Sequence, residues 1–274
     1  MTRPIFLLSD FGTRDHYAGQ VRAVLVRLAP GSQVLDITHD IEPFAIDEGA
    51  WMLEVTLPHL PAEAVVFGVV DPGVGGQRAA IAVRDADGRL LVGPDNGLFS
   101  GALPPRNRRA GRALLAGSGV EARAFTPLGV GIDPRLISPT FHGRDLFAPA
   151  AAALASGVPF AALGGAVDAV EALAPFEAVA RGPGTLGAAV VHVDAFGNLL
   201  TTLRMGQVAA AEAVTLVVEG RTVARRITSF EEAAPGEVAW HEDSSGFVAI
   251  AVSLGSAADL LGARRGTTVE VRLE

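Results

Sequence analysis

Residues 64–78 read AVVFGVVDPGVGGQR, and this stretch decides the fold class. The run from 64 to 70 is continuously apolar and rich in β-branched residues, which is typical of a strand covered on both faces of a parallel sheet. The Asp-Pro-Gly sequence that follows interrupts regular structure. We therefore predict an internal strand whose carboxyl end delivers Asp71 and, a short loop later, Arg78.

An alternation of strand and helix patterns surrounds this stretch. Apolar side chains recur at helical spacing in residues 15–28, where Tyr17, Val21 and Val24 share a face. The predicted elements of this region are strands at 5–9, 33–38, 64–70, 79–84 and 90–92, and helices at 15–28, 46–57 and 145–155. This order favours an α/β fold with a mainly parallel sheet flanked by helices.

The composition changes after residue 164. Residues 165–184 are rich in Ala, Glu, Gly and Pro, which is typical of a linker. The elements predicted beyond it are strands at 188–194, 199–203, 214–218, 222–226, 247–252 and 267–273, and a short helix at 257–261. We therefore predict an N-terminal α/β domain over 1–164, a linker over 165–184, and a smaller C-terminal antiparallel β-barrel or sandwich domain over 185–274.

The composition excludes several kinds of chemistry. All 22 basic residues are arginine, and the chain has no lysine and no cysteine. Without lysine, neither Schiff-base chemistry nor a phosphate loop of the G-x-x-x-x-G-K type is possible. Without cysteine, there are no thiol nucleophiles, disulfides or cysteine zinc sites. The simplest origin of the arginine bias is a GC-rich genome.

Charge and hydropathy bear on partners and location. The formal net charge of -8 argues against a nucleic-acid partner, since binding phosphates requires a basic surface. We interpret the arginine cluster at 106–112 as a solvated loop. Neither an apolar run of the roughly 18 residues that a membrane span needs nor a signal-peptide pattern is visible. We expect a cytoplasmic protein with no membrane partner.

Polar residues follow the predicted strands, at the edge where open α/β sheets bind ligands. The candidates from this edge are Asp10, Asp15, Asp36, His39, Asp40, Asp71, Arg78, Asn96, Phe141 and His142. Each polar candidate also has a purely structural alternative. Asp15 would serve only as a helix N-cap, residues 36–40 would form a strand-end hydrogen-bond network, residues 95–97 would form a turn, and His142 would be a core histidine.

A metal site is a further alternative for residues 10–40, which carry carboxylates and two histidines. Neighbouring side chains of a strand point to opposite faces, so these groups need not converge. The chain also lacks a compact ligand motif such as H-E-x-x-H. We therefore predict no metal site.

Six segments together match a known family. They are SDFGTRD (9–15), DITHDIEPFAIDEGA (36–50), VVDPGVGGQR (69–78), VGPDNGLFS (92–100), SPTFHGRDLFAP (138–149) and VDAFGNLLTTL (193–203). Each pattern alone is loose, but six in the family's order are highly specific. The chain resembles the S-adenosyl-L-methionine hydroxide adenosyltransferases, relatives of the fluorinase and chlorinase enzymes.

The resemblance implies a reaction and an assembly. Water or hydroxide attacks the ribose C5′ of S-adenosyl-L-methionine, and adenosine and L-methionine result. The family uses no metal or organic cofactor. The resemblance also implies a homotrimer, with each site between the N-terminal domain of one subunit and the C-terminal domain of the next.

The resemblance also assigns residue roles. Asp71, Arg78 and His142 match a triad that holds and activates the water. Asp15 matches the carboxylate on the ribose hydroxyls, and Phe44 stands where halide enzymes place tryptophan against the ligand. Asp194 and Asn198 match the groups that hold the amino and carboxylate ends of methionine, with Phe196 between them near the adenosine, and Ser244 matches a carboxylate-binding serine. Asp10, Asn96 and Phe141 are further substrate-binding candidates. Two departures are Asp243, where the family usually has asparagine, and Ser253, which replaces an amide attributed to the adenine contact.

Three other functions compete with this prediction. A halide-using 5′-halo-5′-deoxyadenosine synthase is disfavoured by Asp71 and His142, which those enzymes lack, because a desolvated halide is unfavourable beside a carboxylate. A non-catalytic nucleoside-binding protein has no need of the triad. A metal-dependent hydrolase would lose activity to a chelator. The sequence leaves the proton acceptor open between Asp71, His142 and solvent hydroxide, since arginine remains protonated.

Overall fold

The computed structural model describes residues 2–274. The chain divides into two compact units, Met1–Pro175 and Phe176–Glu274. The strands of the first unit are β1 (Ile5–Ser9), β2 (Val34–Thr38), β3 (Val65–Val69), β4 (Ala80–Arg84), β5 (Leu90–Pro94), β6 (Gly111–Leu114), β7 (Glu121–Phe125), β8 (Gly165–Val167) and β9 (Ala169–Ala172). Its α-helices are α1 (Tyr17–Leu28), α2 (Ile46–Thr56) and α3 (Ala148–Ala155).

Seven of these strands form one sheet in the order β2-β1-β3-β5-β4-β7-β8. The first four run parallel to one another, whereas β4, β7 and β8 each pair antiparallel with their neighbours. The predicted α/β fold with a mainly parallel sheet is confirmed. The parallel strands form the half of the sheet from which the candidate site is built.

The apolar run of residues 64–70 contains β3, which lies in the interior of this sheet. All five residues of β3 are buried. Val65, Phe67 and Val69 pack in one cluster with residues of α1 and α3, whereas Val66 packs on the other face with residues of α2. A strand covered on both faces needs apolar side chains at every position, and this explains the uninterrupted pattern.

The segment at 165–184 contains strands rather than irregular chain alone. β8 forms the edge of the seven-stranded sheet, and β9 pairs with β6 in a separate ribbon. Their partners lie far away in sequence, as in the pairing of Gly111 with Ala172, so local composition carried no signal of them. The domain limits derived from the sequence stay a prediction.

The arginine cluster is only partly a solvated loop. The side chain of Arg108 is 3% exposed and its Nη1 donates to Glu54 at 2.5 Å. Its Nε donates to the carbonyl of Leu103 at 3.0 Å. This arginine is therefore a buried support of the first unit, and the interpretation as solvent-facing is wrong for it.

The second unit is built almost entirely from antiparallel strands. They are β10 (Val179–Gly182), β11 (Thr185–Val193), β12 (Leu199–Arg204), β13 (Val214–Val218), β14 (Arg221–Val223), β15 (Val238–Glu242), β16 (Phe247–Val252) and β17 (Thr268–Leu273), with α4 (Ala257–Leu261) before the last. The sheet order is β14-β13-β17-β11-β12-β16-β15, and β10 pairs with β11.

Main-chain hydrogen bonds bring the two edges of this second sheet together. Ile227, just after β14, donates to the carbonyl of Trp240 in β15 at 3.0 Å, and Trp240 donates to Arg225 at 2.9 Å. The sheet is thus a nearly closed barrel, which confirms the predicted fold of this part. Among the helices of residues 2–274, none has the length and apolar character to cross a membrane.

Candidate active site

Two carboxylates leave adjacent parallel strands at the same edge of the first sheet. Asp10 follows β1 and Asp71 follows β3, and the two strands are paired in register up to Ser9 opposite Val69. Their side chains line a cleft of about 540 Å³. The other lining residues are Phe11, His16, Tyr17, Gln20, Pro43, Phe44, Val69, Val74, Ser138, Thr140, Phe141, His142, Gly143 and Arg144. Polar groups therefore meet where an open α/β sheet binds its ligands.

Asp71, Arg78 and His142 form one hydrogen-bonded set. The Nε of Arg78 donates to both carboxylate oxygens of Asp71, at 3.0 and 3.1 Å, and its Nη2 donates to Oδ2 at 2.5 Å. The same Nη2 lies 2.9 Å from Nδ1 of His142. The side chains of Asp71 and Arg78 are 5% and 12% exposed, so this ion pair is largely shielded from water. The structure brings the predicted triad together.

The bond to Arg78 decides the protonation of His142. A guanidinium only donates, so Nδ1 accepts and the neutral ring carries its proton on Nε2. Burial lowers the pKa of His142, and the positive charge of Arg78 lowers it further. His142 lines the cleft, and the alternative of a core histidine is wrong. It therefore offers the cleft a hydrogen-bond donor.

A buried aromatic ring supports Arg78 from the other side. The Cζ of Arg78 lies 5.1 Å from the centroid of Phe147, a fully buried residue. Phe147 ends a turn of π-helix, Gly143–Phe147, that directly precedes α3. Such π-turns insert a residue into a helix and are frequent at functional sites. This turn replaces the start of the predicted helix at 145–155.

The loops that carry Asp71 and His142 are in direct contact. Gly75 has a φ of 76°, in the left-handed region that favours glycine. A Cβ at this position would lie only 2.5 Å from the carbonyl oxygen of Pro139. The close approach of the two loops therefore requires glycine here, and it joins the ends of β3 and of the 138–142 segment into one site.

Asp10 and Phe44 form the other wall of the cleft. The backbone N–H of Phe44 donates to Oδ2 of Asp10 at 3.0 Å. Phe44 has a φ of 70°, which is unusual for a residue with a side chain, and its ring is 69% exposed. Burial raises the pKa of Asp10 and the nearby charge of Asp71 raises it further, although the Phe44 amide opposes the shift. The Phe44 amide therefore stabilises the carboxylate form of Asp10.

Three predicted site residues of the first unit lie outside the lining of this cleft, namely Arg78, which bonds the lining residues Asp71 and His142, and Asp15 and Asn96. Asp15 is exposed, and α1 begins at Tyr17 after His16, with no side chain capping it. The N-cap alternative for Asp15 is therefore wrong. Asn96 donates from Nδ2 to the carbonyl of Val70 at 2.8 Å and accepts from the N–H of Leu98. It forms a turn that supports the end of β3, as the structural alternative has it.

The strand-end network predicted for Asp36, His39 and Asp40 forms between Asp36 and His39, whereas the Asp40 carboxylate accepts from the hydroxyl of Thr13 at 3.4 Å. Oγ of Ser9 lies 2.6 Å from Nδ1 of His39, and Nε2 of His39 lies 3.1 Å from Asp36. Within residues 2–274, no group of three or more His, Asp and Glu side chains is arranged to hold a metal ion.

In the second unit, a carboxylate shapes each of two turns. Oδ1 of Asp194 accepts from the backbone N–H groups of Phe196 and Asn198, both at 2.9 Å, and leaves the Phe196 ring 78% exposed. Asp243 accepts in the same way from Ser245 and Phe247. Asp243 thus performs the turn-forming role that an asparagine oxygen also performs, so this departure from the family pattern leaves the turn intact.

The two turns lie far apart. The first precedes β12 and the second precedes β16, and these strands pair antiparallel. The turns therefore sit at opposite ends of the strand pair, and Ser244 in the second turn is exposed. Ser244 and the Asp194–Asn198 turn are therefore separated by the length of the strand pair.

Several residues that line the cleft were not among the site residues predicted from the sequence. The rings of Phe11 and Tyr17 both meet Phe141 edge to face, with centroids 5.7 and 5.4 Å apart. Arg144 stacks over the same ring at 4.9 Å. Phe11 directly follows Asp10, and Tyr17 was assigned to the apolar face of a helix. Their position beside motif residues was the available signal.

Comparisons with known proteins agree with this architecture. The SAM hydroxide adenosyltransferase N-terminal domain matches residues 5–164, and the corresponding C-terminal domain matches residues 188–270. A protein of Thermus thermophilus named (R)-S-adenosyl-L-methionine hydrolase is 42% identical, over 98% of this chain and 99% of that one. A protein of the same name from Salinispora tropica is 40% identical over 97% of each chain. A fluorinase of Actinopolyspora mzabensis is 25% identical over 77% of this chain and 75% of its own.

A solved structure shows the same fold. The crystal structure of an uncharacterized conserved protein from Thermotoga maritima aligns with a TM-score of 0.83 and 31% identity, over 98% of this chain and 99% of that one. An α/β unit followed by an antiparallel barrel, with these motifs in this order, defines the class that contains the SAM hydroxide adenosyltransferases and the fluorinases. Within that class, the chain belongs to the SAM hydroxide adenosyltransferase family.

Proposed function

We propose that this protein hydrolyses S-adenosyl-L-methionine to adenosine and L-methionine. The observation that carries the proposal is the bonded set of Asp71, Arg78 and His142 at the edge of the cleft. The family relationship supports the substrate. The names of the related hydrolases specify the (R) epimer at sulfur, and we propose the same epimer for this chain.

The reaction is a displacement at carbon. A water oxygen forms a bond to C5′, the C5′–S bond breaks, and sulfur leaves as the neutral thioether of methionine. The substrate loses its positive charge, so a cleft that excludes water favours the transition state over the bound cation. A water molecule held in line with the C5′–S bond is already positioned for attack, which lowers the entropic part of the activation barrier.

We assign Asp71 as the general base that accepts the proton from water. Its Oδ1 accepts one hydrogen bond from Arg78, whereas Oδ2 accepts two, so Oδ1 retains the greater capacity to accept from water. His142 donates from Nε2 and orients the water oxygen, because its Nδ1 is occupied by Arg78. The proton moves from water to Asp71 as the C5′–O bond forms, and then to solvent.

The remaining contacts are assigned by position. Asp10 lines the cleft and Asp15 does not, so we assign the ribose hydroxyls to Asp10. Phe44 and Phe141 cover the nucleoside from the first unit. The turn of Asp194 and Asn198, with Phe196, is proposed to bind one end of the substrate, and Ser244 the other end. These residues are proposed to come from a neighbouring subunit of a homotrimer.

Exposed apolar side chains support that assembly. Phe196 and Leu254 are 78% and 92% exposed, and Phe44 at the cleft is 69% exposed. Large apolar side chains exposed on a single chain are typical of surfaces that a ligand or another chain covers. The cytoplasmic location stays a prediction.

One incubation tests the proposal. Purified protein is mixed with S-adenosyl-L-methionine, with and without chloride or fluoride, and the products are separated by chromatography. Adenosine in every mixture supports hydrolysis. A 5′-halo-5′-deoxyadenosine would favour the halide alternative, and no adenosine above a protein-free sample would favour a non-catalytic binding protein. Activity that persists with a chelator disfavours the metal-dependent alternative.

A further inference from the structure

A buried hydroxyl and a buried imidazole lie directly behind the cleft. Ser9 is fully buried and His39 is 2% exposed. Oγ of Ser9 lies 2.6 Å from Nδ1 of His39, and Oγ also accepts from the backbone N–H of Phe11 at 3.3 Å. Nε2 of His39 donates to Asp36 at 3.1 Å. The polar atoms of both side chains are therefore engaged, which buried polar groups require.

His39 holds the segment 9–12 at both ends. Its ring is bonded to Ser9, the first residue of the segment, and its carbonyl accepts from the N–H of Gly12, the last, at 2.7 Å. Asp10 and Phe11, which line the cleft, lie between these two anchor points. One residue of the loop after β2 thus fixes the course of the chain that delivers Asp10 from β1.

The outer end of this network is tied to α1. Nε of Arg22 donates to Asp36 at 3.0 Å and its Nη2 also bonds that carboxylate. Asp36 is therefore held in place to accept from His39. The hydrogen-bonded series runs from the surface of α1 through Asp36 and His39 to Ser9.

We propose that Ser9 and His39 are a positioning pair that aims the Asp10 carboxylate at the ribose hydroxyls of the substrate. The inference rests on the proposed function and adds a determinant of its ligand specificity. Ser9 is not a nucleophile here, since its fully buried Oγ is closed to a substrate in the cleft.

Asp10 needs such support because partial burial makes its ionised form energetically unfavourable. The carboxylate is partly desolvated and lies near the charge of Asp71, and backbone N–H groups, that of Phe44 first, stabilise its ionised form. A small shift of the 9–12 segment would break the bond from Phe44 and turn the carboxylate away from the ligand. Networks of buried hydrogen bonds resist such shifts.

The test compares two ligands that differ only in the ribose hydroxyls. Affinities for adenosine and for 2′,3′-dideoxyadenosine are measured by calorimetry on the wild type and on Ser9→Ala. The expected result is that Ser9→Ala weakens adenosine binding roughly 10-fold or more, because the contact of a hydroxyl with a charged carboxylate is lost. Binding of the dideoxy compound should be unchanged.

Ser118→Ala is the matched control. Ser118 is buried, donates to the carbonyl of Leu115 at 2.6 Å and accepts from the N–H of Val120, the bonding pattern of Ser9, but it lies outside the cleft lining. Its loss should leave both affinities unchanged. If Ser9→Ala weakens both ligands equally, or neither, the positioning role is overturned.

A second pair of variants keeps the test decisive if Ser9→Ala does not fold. In His39→Asn the amide lies near the place of Nδ1 and can still bond Ser9, whereas in His39→Gln it lies near Nε2 and reaches Asp36 instead. His39→Asn should retain more of the discrimination between the two ligands. The reverse order would overturn the proposal. A wild type that forms no adenosine from S-adenosyl-L-methionine would instead remove the proposed function, and this inference with it.

Discussion

Arg78 donates from Nη2 to Nδ1 of His142 over 2.9 Å, while the same nitrogen bonds Asp71 at 2.5 Å. Because the guanidinium only donates, His142 is held as the neutral tautomer with its proton on Nε2. In the proposed hydrolysis, Asp71 is therefore assigned as the base and His142 as a donor that orients the water. Neither role follows from the residue types alone, since histidine is the commoner general base.

Substitutions of His142 that mimic one nitrogen at a time test this assignment. Gln places an amide near Nε2, and Asn places one near Nδ1. We expect His142→Gln to retain more of the wild-type kcat than His142→Asn or His142→Ala, because it preserves a donor towards the cleft. Steady-state rates of adenosine formation measure this. Equal losses for Gln and Ala would identify His142 as the base instead.

The pH dependence follows from the direction of the His142 shift. Burial and then the charge of Arg78 lower its pKa below the ordinary value of 6.5, so the ring stays neutral down to more acidic pH than a free histidine. The neutral ring contributes fully to stability and activity above the pKa that His142 has in the unfolded chain. This contribution is lost as the pH falls through the lower pKa that His142 has in the folded protein. We expect kcat/KM to be level above pH 6.5 and to fall below it.

His142→Gln is the control for that profile. If His142 causes the acid limb, the variant should lack it, and any limb that remains has an origin other than His142, for example Asp10, whose pKa is raised by burial. A wild-type midpoint above 6.5 would contradict the lowered pKa.

Asp71→Asn should separate chemistry from binding. The amide keeps the size of the carboxylate but removes its capacity to take a proton, so we expect kcat to fall roughly 10²–10⁴-fold with little change in KM. Asp85→Asn is the control, because Asp85 and Arg89 form a pair of similar burial (5% and 10% exposed) in the β4–β5 hairpin. That variant should lose stability but not turnover. Unchanged kcat in Asp71→Asn would remove Asp71 from the mechanism.

Gly75→Ala should disrupt the contact between the loops that carry Asp71 and His142. The added methyl would meet the carbonyl of Pro139 at 2.5 Å, whereas in Gly131→Ala, with a similar φ of 73°, it would meet open space. In both variants, an alanine in the left-handed backbone region destabilises the folded protein by about 1–2 kcal/mol. We expect only Gly75→Ala to lose turnover as well. Denaturant unfolding and kcat, compared between the two, measure the difference, and equal turnover in both variants would refute a catalytic role for the contact.

The sequence allowed the fold and the triad to be predicted for physical reasons. β3 is covered on both faces, so its apolar run was visible, and the carboxyl ends of parallel strands necessarily share an edge. Asp10 and Asp71 were therefore placed together correctly. The strands β8 and β9 were not predicted, because their pairing depends on residues distant in sequence.

Other features of the site depend on geometry that no local pattern encodes. The direction of the Arg78–His142 bond, the π-turn before α3 and the contact of Gly75 with Pro139 all arise from packing between loops. The family pattern suggested Asp15 for the ribose, yet the structure lines the cleft with Asp10. The two carboxylates lie five residues apart in one loop, and the course of that loop decides which of them faces the cleft.

In the proposed hydrolysis, the oxygen of water becomes the 5′ oxygen of adenosine. The most direct measurement is to incubate the protein with (R)-S-adenosyl-L-methionine in H2 18O and to analyse the adenosine by mass spectrometry. The expected result is adenosine that carries 18O at the 5′ position, formed together with methionine and reduced strongly in Asp71→Asn. Adenosine without the label, or none above a protein-free sample, would contradict hydrolysis at C5′.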